Sequence, residues 1–152
     1  MMKQIFLVLI LATGMASCCK HEKLPQNLCA EPQIENASCI TDTSQIKILL
    51  PGKWNWTQSV NSWTMAKTNP CTDSINFSYE FFSNGTAKYF ENGTYKYPGT
   101  YSFSQSQGMS VQLFYDSAYH YHESGWVSVC NNHLIIDDSP VDGPKDIFVK
   151  AE

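Results

Sequence analysis

The chain has 152 residues, with ten lysines, no arginine, 14 acids and a formal charge of −4. A mildly acidic balance with scattered lysines lacks the clustered positive footprint of a nucleic-acid binder, and that class is excluded. Aromatics make up 13% of the residues, eight of them tyrosines, while runs of Ala, Leu, Glu and Lys are scarce, so β-structure is expected.

Residues 1–17 read as an export signal. Lys3 supplies the positive start, residues 5–12 an apolar run, and Met15, Ala16 and Ser17 a small-residue approach to Cys18. The apolar run is too short to span a bilayer. Met15-Ala16-Ser17-Cys18 resembles the lipobox of bacterial lipoproteins. The resemblance implies that the signal peptide is cut before Cys18 and that the Cys18 thiol carries palmitate-like acyl chains. Two or more chains anchor stably where one binds marginally. Cys19 follows, in place of the aspartate that commonly marks inner-membrane retention. The resemblance therefore further implies an outer-membrane lipoprotein of the cell envelope, with the periplasmic and surface faces both open.

Residues 18–44 are polar, interrupted by Pro25 and Pro32, and without apolar period, as expected of a tether. An exported chain meets an oxidising compartment, so Cys29, Cys39, Cys71 and Cys130 are disulfide candidates. Of the three connectivities that four cysteines admit, spacing favours Cys29–Cys39 as a local loop and Cys71–Cys130 as a long one, with Cys19 left over.

Residues 45–152 form the expected domain. Residues 43–50 make a short helical turn, with Ile46, Leu49 and Leu50 on one side, stopped by Pro51-Gly52. From there the residues alternate: Trp54 and Trp56 share a face, as do Phe77, Tyr79 and Phe81. Asn84-Gly85 and Asn92-Gly93 are type I′ hairpin signals. They link expected strands at 76–83, 86–91 and 94–97. Pro98-Gly99 is expected to kink the third of these before a further strand at 100–104. Further strands are expected at 109–116, 119–123, 126–130, 133–137 and 146–150. Short, evenly spaced strands point to an antiparallel sandwich or barrel.

Gly52-Lys53-Trp54 after a helical turn is similar to the Gly-x-Trp signature of lipocalins. Residues 76–91, followed by Gly99-Thr100-Tyr101-Ser102, resemble bacterial lipocalin-like lipoproteins. The resemblance covers about residues 49–150. It implies an all-β, up-and-down, eight-stranded antiparallel barrel with a short N-terminal helical turn. The lipocalin arginine that packs over the signature tryptophan is absent. Lys150 or Lys145 is the residue able to cover Trp54 instead, by a cation–π contact.

A barrel of this size is either filled by side chains or holds one small ligand. The inward candidates for lining a ligand are Trp56, Tyr79, Tyr89, Tyr95, Tyr101 and Tyr115, in company with Trp54, Phe77, Phe81, Phe103 and Leu113. Large rings also fill ordinary cores, whereas buried phenols need partners and suit a polar or ligand-bearing interior. Trp63 is placed to gate the mouth or to cover it. His120 and His122 share a strand face and are the weak metal candidates, with Asp116 or His133 as a third ligand; no spacing fixes a metal site. No nucleophile elbow, phosphate loop or His-Glu-x-x-His helix occurs, so no catalytic residues, enzyme class or cofactor is assigned. The function expected is a lipid-anchored envelope protein binding a small, partly apolar ligand. The alternative is a protein-interaction module, an envelope complex subunit or periplasmic inhibitor, with a solid core and contact loops at 60–70 or 104–108.

Overall fold

Alternation in the sequence becomes β-structure nearly throughout. The computed structural model describes residues 26–34, 38–104, 112–116 and 124–152. Their strands are β1 (Cys39–Ile40), β2 (Gly52–Val60), β3 (Lys67–Thr68), β4 (Phe77–Phe81), β5 (Thr86–Glu91), β6 (Thr94–Ser104), β7 (Gln112–Asp116), β8 (Ser124–Cys130), β9 (His133–Asp137) and β10 (Lys145–Lys150). Two short helices accompany them, α1 (Thr43–Leu49) and α2 (Pro70–Asp73). The fold is all-β and antiparallel. β2, β4, β5, β6, β7, β8, β9 and β10 each pair with the next, and β10 pairs back with β2, so these eight strands form a closed ring. Closure removes the exposed edges that invite strand addition. β1 adds to β8 and β3 to β2.

The end where β2 begins is here the lower end, and the end where it stops the upper. Below the ring lies α1. Asp42 caps it by accepting from the Gln45 N–H at 3.0 Å, and Pro51 prevents its extension. Its inner face is Ile46 which, like Leu50 just beyond it, is fully buried and joins the interior cluster.

Two register shifts decide which side chains face inward. Between β5 and β6, Tyr89 pairs with Tyr97 but Phe90 pairs with Tyr95, so Lys96 is an extra residue. Between β2 and β10, Ile147 pairs with Gln58 but Phe148 with Trp56, leaving Thr57 extra; its hydroxyl donates to the Ile147 carbonyl at 2.9 Å. A single inserted residue reverses the facing of everything beyond it.

Residues 94–97 and 100–104, expected as separate strands, belong to one: β6 runs through Pro98-Gly99 from Thr94 to Ser104. Pro98 pairs with Lys88 of β5, while pairing with β7 begins only at Thr100, so Pro98 has a strand neighbour on one side, where a missing N–H is tolerated. Gly99 is required sterically, since a Cβ there would lie 2.4 Å from the Tyr115 ring. At Asn92-Gly93 both residues have positive φ, as a type I′ turn needs, whereas of Asn84-Gly85 only Gly85 does.

The disulfide pairing favoured by spacing is corrected. Cys29 bonds to Cys71 and Cys39 to Cys130. Cys71 lies in α2 near the upper end and Cys130 at the lower end of β8, so those two stand at opposite ends of the ring. The tether reading of residues 18–44 is corrected in its later part. A 3-10 turn at Gln26–Cys29 buries Leu28 to 2% exposure, and β1 pairs with β8. Residues 30–33, just past Cys29, form a strap against the outside of the ring, beside Thr57, His133 and Val149.

Candidate functional site

The ring interior is built from alternate residues of every strand. Trp54 and Trp56 come from β2, Tyr79 and Phe81 from β4, Ala87 and Tyr89 from β5, Tyr97 from β6, Leu113 and Tyr115 from β7, Val127 and Val129 from β8, Leu134 and Ile136 from β9, and Phe148 from β10. Phe77, Tyr101 and Phe103 pack against this cluster while partly exposed.

At the lower end, Trp54 donates its indole N–H to the Leu50 carbonyl at 2.7 Å. Lys150 donates to the Leu49 carbonyl at 2.8 Å with its Nζ 5.1 Å from the centre of the Trp54 ring. Tyr101 closes the same end, its hydroxyl donating to the Phe82 carbonyl at 2.6 Å, and burial raises its pKa. The centre is filled by rings around Tyr79: Tyr115 at 5.1 Å, Tyr89 at 5.3 Å, Phe81 at 5.7 Å and Phe148 at 5.8 Å between centroids. Tyr89 stacks on Tyr97 at 4.8 Å.

Toward the upper end the interior changes character. Trp56 stacks on Phe77 at 4.6 Å, and its indole N–H donates to the Ser59 hydroxyl at 2.9 Å. Ser59 in turn donates to the carboxylate of Asp146. Asp146 is 7% exposed, and among the described residues no lysine forms an ion pair with it; its chain neighbour Lys145 faces Asp137 instead. Burial pushes the Asp146 carboxyl up to about 6, against the lowering effect of the Ser59 bond and with a further push from the charge of Asp138. The arrangement offers a stacked aromatic wall beside one ionisable acceptor, a combination suited to holding a partly apolar molecule by a single polar group.

Of the expected ligand-lining residues, Trp56, Tyr79, Tyr89 and Tyr115 meet inside the ring, and Tyr101 sits at its lower end. Tyr95 is a correction: it is 49% exposed, because the extra residue Lys96 turns it outward and brings Tyr97 in. Ser59 and Asp146 were not anticipated. The signal for Asp146 was its two-residue spacing from Phe148 in the closing strand, which puts both on one face. Cys18, His120 and His122 lie outside the described residues, and so does the expected strand 119–123. Among the described residues no three His, Cys, Asp or Glu side chains are grouped to hold a metal ion.

On the outer surface, a cleft of about 230 Å³ lies between Ala30–Gln33 of the strap and Thr57, His133 and Val149. Burial lowers the His133 pKa, against a raising bond from the Cys130 backbone.

Comparison with protein families, curated proteins and solved structures finds no match.

Proposed function

We propose that the chain is a lipid-anchored lipoprotein of the cell envelope, acylated at Cys18, whose ring is a lipocalin-like barrel binding a small, partly apolar molecule at its upper interior. Asp146 carries this reading. A carboxyl held among aromatic side chains is costly to the fold, and an apolar residue of similar size would pack there more cheaply. Its retention beside Trp56, Phe77 and Ser59 makes sense if it meets a polar group of a bound molecule. Lys150 over Trp54, above the end of α1, supports the lipocalin resemblance, because it supplies the cation that the missing arginine would provide.

A second reading, the interaction module with a solid core, draws on the tight packing of Tyr79 and Tyr115, at 1% and 2% exposure. A titration separates the two. Small amphiphiles extracted from the native envelope are added to the folded domain while tryptophan emission is followed. A saturable change that weakens in Asp146→Asn supports internal binding. No change with any fraction favours the solid core.

A further inference from the structure

The loop between β2 and β3, residues 61–66, reads Asn-Ser-Trp-Thr-Met-Ala and carries no charge. Trp63 is 73% and Met65 68% exposed. The loop is also closed by its own hydrogen bonds. The Asn61 side-chain oxygen accepts from the Trp63 N–H at 3.0 Å, the Thr64 N–H at 2.9 Å and the Thr64 hydroxyl at 3.1 Å. Asn61 and Met65 close it from the backbone, Met65 N–H to the Asn61 carbonyl and Asn61 N–H to the Ala66 carbonyl, both 2.9 Å. Met65 holds a φ of 56° to complete the turn. A loop closed in this way presents its apolar side chains to a partner at a lower ordering cost.

The start of the strap is tied to this same end of the ring. Cys29 is bonded to Cys71 in α2, just past β3, and Glu31 pairs with Lys67 of β3. Gln26 follows Cys18 by eight residue steps, and a chain that long reaches about 28 Å at most. An acyl group on Cys18 therefore holds the upper end of the ring near the bilayer, and Trp63 and Met65 project from that end. Val141, 71% exposed in the loop before β10, is at the same end.

We infer that the 61–66 loop is a second membrane contact, in which Trp63 and Met65 enter the interfacial layer of the bilayer that holds the lipid anchor. The inference rests on the anchored reading above. Tryptophan favours that layer, its ring amphipathic at headgroup depth. Asp138 and Asp142 flank Val141, so the contact is apolar in origin and gains nothing from anionic lipid.

The test uses the full acylated chain in phosphatidylcholine vesicles, with and without brominated acyl chains. Trp63 emission is read as the difference between the native chain and Trp63→Ala, which removes the signals of Trp54, Trp56 and Trp126. The expected result is a blue shift of the Trp63 difference spectrum and its quenching by the brominated lipid. An acylated chain whose Trp63 difference spectrum stays water-like and unquenched overturns the inference while leaving the anchor intact. A blue shift that appears without vesicles and grows with protein concentration also overturns it, assigning the loop to a second copy of the chain. Intact mass on the same sample reads the anchor separately: a chain from its native membrane without acyl groups refutes the anchored reading and the loop inference together.

Discussion

Lys150 stands over the indole of Trp54, its Nζ 5.1 Å from the ring centre, and each side chain ties β-structure to the end of α1. The pair joins the first and last strands of the ring to the helix beneath it. Gly52 leaves space for it, since a Cβ there would lie 3.2 Å from the Lys150 Cε at a φ of 126°. Removing Trp54 with Trp54→Ala is expected to cost about 3–5 kcal/mol. Lys150→Ala loses a partly buried hydrogen bond and the ring contact, about 1–2 kcal/mol. Lys150→Arg keeps both and is expected to stay close to native stability. Urea denaturation checks all three, and a Lys150→Ala protein as stable as the native one removes the closing role.

The carboxyl of Asp146 makes stability depend on acidity. Its pKa in the fold is about 6 against an ordinary 3.8, so the folded state holds the proton more tightly than the unfolded chain. Stability from this group is therefore full below the ordinary value and falls as the pH rises through about 6. At about 1.4 kcal/mol for each pH unit, the charged form costs the domain about 3 kcal/mol at neutral pH. His133 acts in the opposite sense, its depressed pKa giving stability that is lost on acidification, and the raised pKa of Asp138 acts with Asp146. Comparison with Asp146→Asn isolates the one group. The variant is expected to be the more stable at pH 7, with the gap closing toward pH 4; a gap that widens on acidification contradicts the assignment.

The two disulfides span 42 and 91 residues of sequence. On the chain-entropy account, loops of these lengths contribute about 4 to 5 kcal/mol each. Replacing Cys39 and Cys130 together by serine should lower the melting temperature strongly and release β1 from β8. Peptide mapping under non-reducing conditions checks the pairing itself, and a peptide joining Cys29 to Cys39 would refute it.

Gly99 and Tyr115 are mutually fitted. Gly99→Ala drives a methyl into the ring of Tyr115 and is expected to cost about 1–3 kcal/mol by overpacking. In a Tyr115→Leu background the same change should cost much less, because the ring it strikes is gone. Equal costs in both backgrounds, measured by chemical denaturation, would show that the contact is not what requires glycine.

Much of the architecture was legible because alternation is a local signal. The shared face of Trp54 and Trp56, the Asn92-Gly93 turn and the α1 turn ended by Pro51 can all be read from neighbours in sequence. The outward face of Tyr95 was not legible, since nothing in Tyr-Lys-Tyr announces that Lys96 is an extra residue. Cysteine pairing failed for a related reason. Cys29 and Cys39 are close along the chain, but Cys29 meets Cys71 at the upper end of the ring and Cys39 meets Cys130 at the lower, and only the closed topology brings each to its distant partner. The candidate site was half legible. Its rings stood out, and Asp146 shares the inward face of Phe148 by alternation, whereas Ser59 faces inward beside Trp56 only because Thr57 is extra in β2.

The account's central claim, an acylated chain holding a small molecule beside Asp146, is tested most directly by native mass spectrometry of the mature protein extracted from its own membrane. The expected spectrum shows acyl chains on Cys18, two disulfides and a retained small-molecule mass that is diminished in Asp146→Asn. A chain that begins elsewhere, carries no lipid and holds no adduct would contradict it.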